Sequence, residues 1–288
     1  MQRPKLFYGW WQVLIFAWIL GVGSTTIQFS VGFLVDPIIN EFGWSMLAVS
    51  TAFSLRSQSS AIAAPGVGYL IDRFGTRFTL CSGLIVFSLS LLWLAGVDNI
   101  WAFYGSFCLL SIGNSAIAGQ SAGVNVARWF VKQRGRAMLL VYMGPGLGSI
   151  TIAIYAAIMA EHGWRAGQVA WALVVLLTCL PIALLVRESP EKMGLLPDGE
   201  SMEGHTAAGE GRDAAIRRRA NDLRGESMTT RQALTNGVFW RLALALTLST
   251  MAAGPGLALM VPALTKAGGS REMAIAANSA FPLVLSGL

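Results

Sequence analysis

From Phe78 to Val97 the chain carries no charged side chain, and the decapeptide before it, Gly68-Tyr-Leu-Ile-Asp-Arg-Phe-Gly-Thr-Arg77, carries three. On the other side of that decapeptide, residues 44–71 are almost wholly apolar or small. A membrane span needs roughly 20 apolar residues, and a charge at the centre of a spanning helix costs about 2.5 to 3.5 kcal/mol. Asp72, Arg73 and Arg77 therefore mark a tight loop at a bilayer surface, with a span on either side. The rhythm recurs at residues 9–35, 101–127, 170–186 and 238–264, and in a span that begins near Ala137. A further apolar stretch, residues 273–288, reaches the last residue with no flanking charge and reads as a span cut short. None of these segments alternates with the period of two that a barrel strand requires. The fold class expected is an all-α integral membrane protein.

Composition excludes other classes. Charged residues make up 12% of the chain and hydrophobic ones 54%, where soluble domains carry about 25% charged residues. The net charge of +6 does not describe a nucleic-acid surface. The basic residues fall in loops between spans, beside no aromatic platform, and act as topological charge. Cys81, Cys108 and Cys179 lie within apolar spans without a pairing motif, and read as small buried hydrophobes. His162 and His205 are isolated in loops. No metal site, cofactor motif, nucleophile–base pair or phosphate loop is visible, so an enzyme is not expected. The first apolar segment is too long for a cleaved signal and should remain as a span.

Three regions follow: an N-terminal six-helix bundle over residues 1–187, a basic polar linker over 188–236, and the start of a second bundle over 237–288. The linker is rich in Gly, Glu and Arg, contains Arg217-Arg218-Arg219 and lacks apolar periodicity, so it reads as mobile. Of the Lys and Arg residues, all but Arg56, Arg165, Lys266 and Arg271 lie in the N-terminus, in the loops after spans two, four and six, or at their margins. By the positive-inside rule the N-terminus and linker are cytoplasmic, which suits a plasma or inner membrane.

Polar residues inside spans mark a solvated interior. In span one, Ser24, Gln28 and Gly32 share a face. Span two carries Arg56, roughly 24 Å along the helix from Asp72 at 1.5 Å per residue, and Ser60, Ala64 and Gly68 follow it at four-residue spacing. An arginine at that depth needs a polar cavity or an anion. Two readings stay open: it binds an anionic substrate, or it snorkels or bonds to carbonyls of a neighbouring helix. Span four holds Asn114, Gln120 and Asn125, each either lining a cavity or bonding between helices. Spans three and six are apolar nearly all round and should face lipid. Gly144-Pro-Gly-Leu-Gly148 predicts a kink or close contact in span five.

The pattern Gly68, Leu70, Asp72, Arg73, Phe74, Gly75 and Arg77 resembles the signature loop of the major facilitator superfamily of secondary transporters. The segments 32–44 and 189–199 are similar to its branch of monocarboxylate transporters and oxalate/formate antiporters. The resemblance implies two six-helix halves that rock around a central site lined by the first and fourth helix of each half. It implies that the signature loop is a cytoplasmic gate latch, with Arg128 as a candidate partner for Asp72. On this reading the solute is a small organic anion, met by Arg56 with Gln28, Asn114, Gln120 and Asn125, and the coupling ion is unknown. Drug–proton exporters of the superfamily often carry an arginine in the fourth helix, and residues 109–126 have none. A transporter-like receptor that signals through the linker, or a non-transporting fragment, is the alternative.

Overall fold

The computed structural model describes residues 7–24, 30–117, 119–190, 193, 195, 198, 232, 235–245 and 247–248. The chain divides into two compact units, Met1–Gly204 and His205–Leu288.

In the first unit the helices are α1 (Tyr8–Ser24), α2 (Ser30–Phe42), α3 (Met46–Ala95), α4 (Ile100–Ile117), α5 (Gly119–Trp129), α6 (Arg134–Tyr142) and α7 (Gly144–Val174). A π-helical turn, Val175–Cys179, leads into α8 (Leu180–Leu184). No strand occurs among the described residues. Three runs are long and apolar enough to cross a membrane among those residues: Met46–Ala95, Ile100–Trp129 and Ile154–Leu184.

The longest helix is two spans. A straight helix of 50 residues would extend about 75 Å, yet Val49 and Ala52 near its start share an apolar cluster with Leu94 and Val97 beyond its other end. The chain reverses at Gly75, where φ is 85° and ψ 166°, a region that essentially only glycine occupies. The loop expected around the charged decapeptide is thus tighter than its sequence suggests, with helix on both sides of one residue. A second reversal lies within α7 at Gly163, with φ 83° and ψ 166°. Across it the Tyr155 and Trp171 rings meet with centroids 5.2 Å apart.

Span one runs further than expected. Asp36 and Pro37 do not end it but sit within α2, because Pro37 forfeits only one backbone donor and Asp36 stays exposed while Leu34 and Ile38 are buried.

The main core gathers Val13, Phe16 and Ile19 of α1, Leu80, Leu84, Phe87 and Leu91 of α3, and Trp171 and Val175. The alternating three- and four-residue spacing in α3 puts its members on one helix face. At the crossing of α3 with α4 the backbones touch: a Cβ on Gly113 would lie 2.6 Å from the Phe87 nitrogen. The opposite face of this arm, with Phe78, Ile85, Leu89 and Trp93, is exposed and apolar, as are Leu173, Leu177 and Leu184 in the last span. Those faces suit lipid.

Beyond Arg187 the described residues turn back onto the bundle. Leu195 packs against the main core, and the division between the two compact units falls after Gly204. Composition could not show this, because backbone hydrogen bonds to distant helices do the holding.

In the second unit Asn236 opens a helix over residues 237–245, its side-chain oxygen accepting the Val238 N–H at 2.9 Å. The rest of span seven beyond residue 248, and the apolar stretch 273–288, lie outside the described residues, as does Gln28 in the first unit.

Candidate functional site

Arg56 does not stand alone. A cavity of about 280 Å³ is lined by Arg56, Ser57 and Ser60 from α3 and by Leu110, Ser111 and Asn114 from α4. Arg56 and Asn114 are each half-buried there. Ser57 donates its hydroxyl hydrogen to the Phe53 carbonyl at 3.3 Å, and Ser111 donates to Phe107 at 2.9 Å. Their oxygens are left to the cavity as acceptors. Its lining also carries the guanidinium of Arg56, the amide of Asn114 and the hydroxyl of Ser60. A planar guanidinium matches a carboxylate with two parallel N–H bonds, so this donor set is chemically fitted to a small anion.

A second cavity, of about 490 Å³, opens further along α3. It is lined by Ala64, Gly68, Ile71 and Asp72, with Gln120, Gly123 and Val124 from α5. Arg56, Ser60, Ala64, Gly68 and Asp72 follow at four-residue intervals, a stripe that drifts about 40° per step and so winds round α3 from one cavity to the other. The stripe carries a cation at one cavity and an anion at the other.

The expected site residues therefore separate. Arg56 and Asn114 come together, whereas Gln120 joins Asp72. Asn125 is fully buried, its Nδ2 donates to the Arg187 carbonyl at 2.9 Å, and it lines neither cavity. Within the signature loop Gly68 lines the second cavity and Gly75 makes the reversal. Asp72, Arg73 and Arg77 are exposed. Arg73 donates to the Tyr69 hydroxyl at 2.6 Å and lies over the Tyr69 and Phe74 rings. The pairing expected between Asp72 and Arg128 is not formed: among the described residues no ion pair joins them. Asp72 faces Gln120, two helical turns before Arg128.

At the other end of the bundle Arg165 forms a clasp that sequence reasoning missed. Its Nε and Nη2 donate to Glu41 Oε1 at 3.1 and 2.9 Å, and Nη1 and Nη2 donate to the carbonyls of Ala95 and Val97 at 2.7 and 2.9 Å. Asp98 lies 3.5 Å from Nη2. Trp164 Nε1 donates to Glu41 Oε2 at 2.6 Å, and the guanidinium stacks over the Trp164 ring at 4.9 Å. The hydrogen bond from Trp164, followed by those from Arg165 and by its charge, holds the Glu41 carboxyl below the usual glutamate range.

Two buried amides were missed as well. Gln12 accepts the Arg187 N–H at 3.4 Å, and Gln168 donates to the Tyr155 hydroxyl at 2.5 Å. A lone glutamine within an apolar run was the available signal. Among the described residues no cluster of His, Cys, Asp and Glu could hold a metal ion.

The sequence that builds this bundle has counterparts among known proteins. A model of the Major Facilitator Superfamily matches residues 11–288. The chain belongs to the major facilitator superfamily. Members of that superfamily are multi-pass integral membrane proteins that carry small solutes. Among curated relatives, an oxalate:formate antiporter of Oxalobacter formigenes is 28% identical over 188 residues, which are 65% of this chain and 44% of that protein. Monocarboxylate transporter 14 of Mus musculus is 30% identical over 203 residues, 69% of this chain and 39% of the relative. The riboflavin transporter RibJ of Trypanosoma brucei brucei is 28% identical over 181 residues, 60% of this chain and 32% of the relative. The chain thus spans less than half the length of these major facilitator relatives.

Proposed function

We propose that this chain belongs to a secondary transporter that moves a small organic anion, such as a monocarboxylate, by alternating access, with Arg56 as its anion contact. The observation that carries the reading is the cavity in which Arg56, Ser60 and Asn114 converge from two helices. Supporting it from outside the molecule are relatives named for oxalate, formate and monocarboxylates.

In this account the carboxylate docks on the guanidinium, Asn114 and Ser60 complete its hydrogen bonds, and the apolar side chain of Leu110 excludes water on one side. Asp72 and Gln120 guard the second cavity, towards the cytoplasm. The exposed loop Asp72–Arg77 meets the other half of the transporter there and latches it. The basic residues concentrated at that end support reading it, with the N-terminus, as the cytoplasmic side.

The test is uptake of radiolabelled oxalate and of lactate by proteoliposomes holding the whole protein, wild type against Arg56→Gln and Arg56→Lys. Loss of a charge-assisted pair in a desolvated site is worth about 1.5 to 3 kcal/mol, so the glutamine variant should raise KM roughly tenfold or more. Lysine should recover part of the loss. An unchanged KM in Arg56→Gln would overturn the assignment of Arg56.

A further inference from the structure

Where the polypeptide leaves the first bundle it turns back onto it, and none of the contacts it makes there serves the cavities. The carbonyl of Arg187 accepts from Asn125 Nδ2 at 2.9 Å and from Trp129 Nε1 at 3.1 Å, while its N–H donates to Gln12 Oε1 at 3.4 Å. Three helices, α1 and α5 and the last span, are thereby joined at one residue. The Glu188 carboxylate then lies against Gly75, in the space that a Cβ on that glycine would need. Pro190 accepts the N–H groups of Met193 and Leu195 at 2.9 and 3.0 Å, winding a short turn, and Leu195 rests on the main core.

Asp198 completes the path. Its carboxylate accepts three successive backbone N–H groups between α5 and α6: Val131 at 3.0 Å, Lys132 at 2.7 Å and Gln133 at 3.2 Å. These groups precede helix α6 and have no carbonyl of their own helix to use. A carboxylate is the acceptor best suited to them, and charge-assisted bonds of this kind are about twice as strong as neutral ones. Asp198 has φ 61°, the one positive φ outside glycine among the described residues. Aspartate enters that region more readily than most residues but rarely without cause. Here the three hydrogen bonds supply it.

We propose that the described residues beyond α8, Arg187 to Pro190 with Met193, Leu195 and Asp198, form a strap across the signature-loop end of the bundle, pinned by Asp198. The strap ties the Gly75 reversal, which carries Asp72, to the turn between α5 and α6. The division between the two compact units falls after Gly204. The inference concerns anchoring alone and stands whether or not the solute is an anion.

Hydrogen–deuterium exchange of the whole protein in lipid nanodiscs tests it. In the wild type the N–H groups of Val131, Lys132 and Gln133 should all be protected, although they lie in an irregular turn at a surface. In Asp198→Gly, which removes the carboxylate while giving the left-handed position its easiest residue, the peptide holding them should exchange about tenfold faster. Asp198→Asn, with one neutral acceptor oxygen, should fall between. Peptides from residues 80–94 should not change, which shows that the bundle stays folded. Unprotected N–H groups at 131–133 in the wild type would overturn the strap without any variant being needed. So would an Asp198→Gly protein whose exchange there matches the wild type.

Discussion

The chain reverses at Gly75 and at Gly163 with nearly the same backbone, φ 85° and ψ 166° against φ 83° and ψ 166°, yet the two ends are closed differently. Beside Gly163 charge is spent inward. Arg165 draws Glu41, Asp98 and two carbonyls of the α3–α4 turn into one clasp. Beside Gly75 the charges of Asp72, Arg73 and Arg77 stay on the surface, and among the described residues none of them is in an ion pair. Closure there comes from Glu188 behind the glycine and from backbone groups taken up by Asn125, Trp129 and Asp198. One end is held by an ion-paired clasp. The other is held by carboxylates set against a glycine and against backbone N–H groups, with Asp72, Arg73 and Arg77 taking no part in it.

The comparison breaks most sharply at the two glycines themselves. Alanine at either position must adopt a backbone that costs about 1 to 3 kcal/mol. At Gly163 a Cβ meets nothing within 4 Å, whereas at Gly75 it collides with the Glu188 carboxylate. The atoms it meets are the far end of the flexible Glu188 side chain, which must swing aside and give up its contact, so Gly75→Ala should lower the thermal midpoint in detergent slightly more than Gly163→Ala. Adding Glu188→Ala should recover part of the loss at Gly75 and none at Gly163. Equal effects of the two alanines would mean that Glu188 does not back the turn.

A smaller effect is expected from the clasp. Arg165→Gln leaves carbonyls of Ala95 and Val97 without donors and Glu41 without its cation, but Arg165 and Glu41 are 35% and 41% exposed. Water compensates at such exposure, and the loss should be about 1 kcal/mol. It should appear as a lower thermal midpoint with KM unchanged, and a raised KM would show that the clasp reaches the cavity.

The smallest effect is one of pH. The folded pKa of Glu41 lies below its unfolded value, near 4.3 for an ordinary glutamate, because Trp164 and Arg165 favour the carboxylate. Its contribution is therefore complete above that value and disappears as the pH falls through the folded pKa. Midpoints of wild type and Glu41→Gln should differ by a constant amount from pH 8 down to about 5 and converge below 4. Curves that stay parallel to pH 3 would remove Glu41 from the clasp.

Much of this was legible in the residues. Uncharged runs of span length gave the helices, and the signature residues Gly68 to Arg77 pointed to the major facilitator family. The polar stripe from Arg56 to Asp72 follows from helical periodicity alone. What was hidden depends on partners distant in sequence. Arg165 reads as one more loop cation, since Glu41 lies 124 residues away. Asn125 reads equally as cavity lining or as a bond between helices, because nothing local shows that it reaches Arg187, 62 residues on. Asp198 sits in a tract whose composition signals mobility, although Pro197-Asp198-Gly199 is turn chemistry that could have been noticed. Gln120 and Asn114 differ by six residues, which looks like one site. A separation of about 9 Å along the helix was enough to assign them to different cavities.

The contrast between the two ends rests on Asp72 working rather than holding. The most direct measurement takes Asp72→Asn in the whole protein and follows both its thermal midpoint and its rate of anion exchange in proteoliposomes. An exposed carboxylate outside any ion pair should leave the midpoint unchanged within about 0.5 kcal/mol, while exchange falls at least tenfold. A variant that loses stability but exchanges at the wild-type rate would contradict the account, because Asp72 would then be structural and the signature loop would have no part in transport.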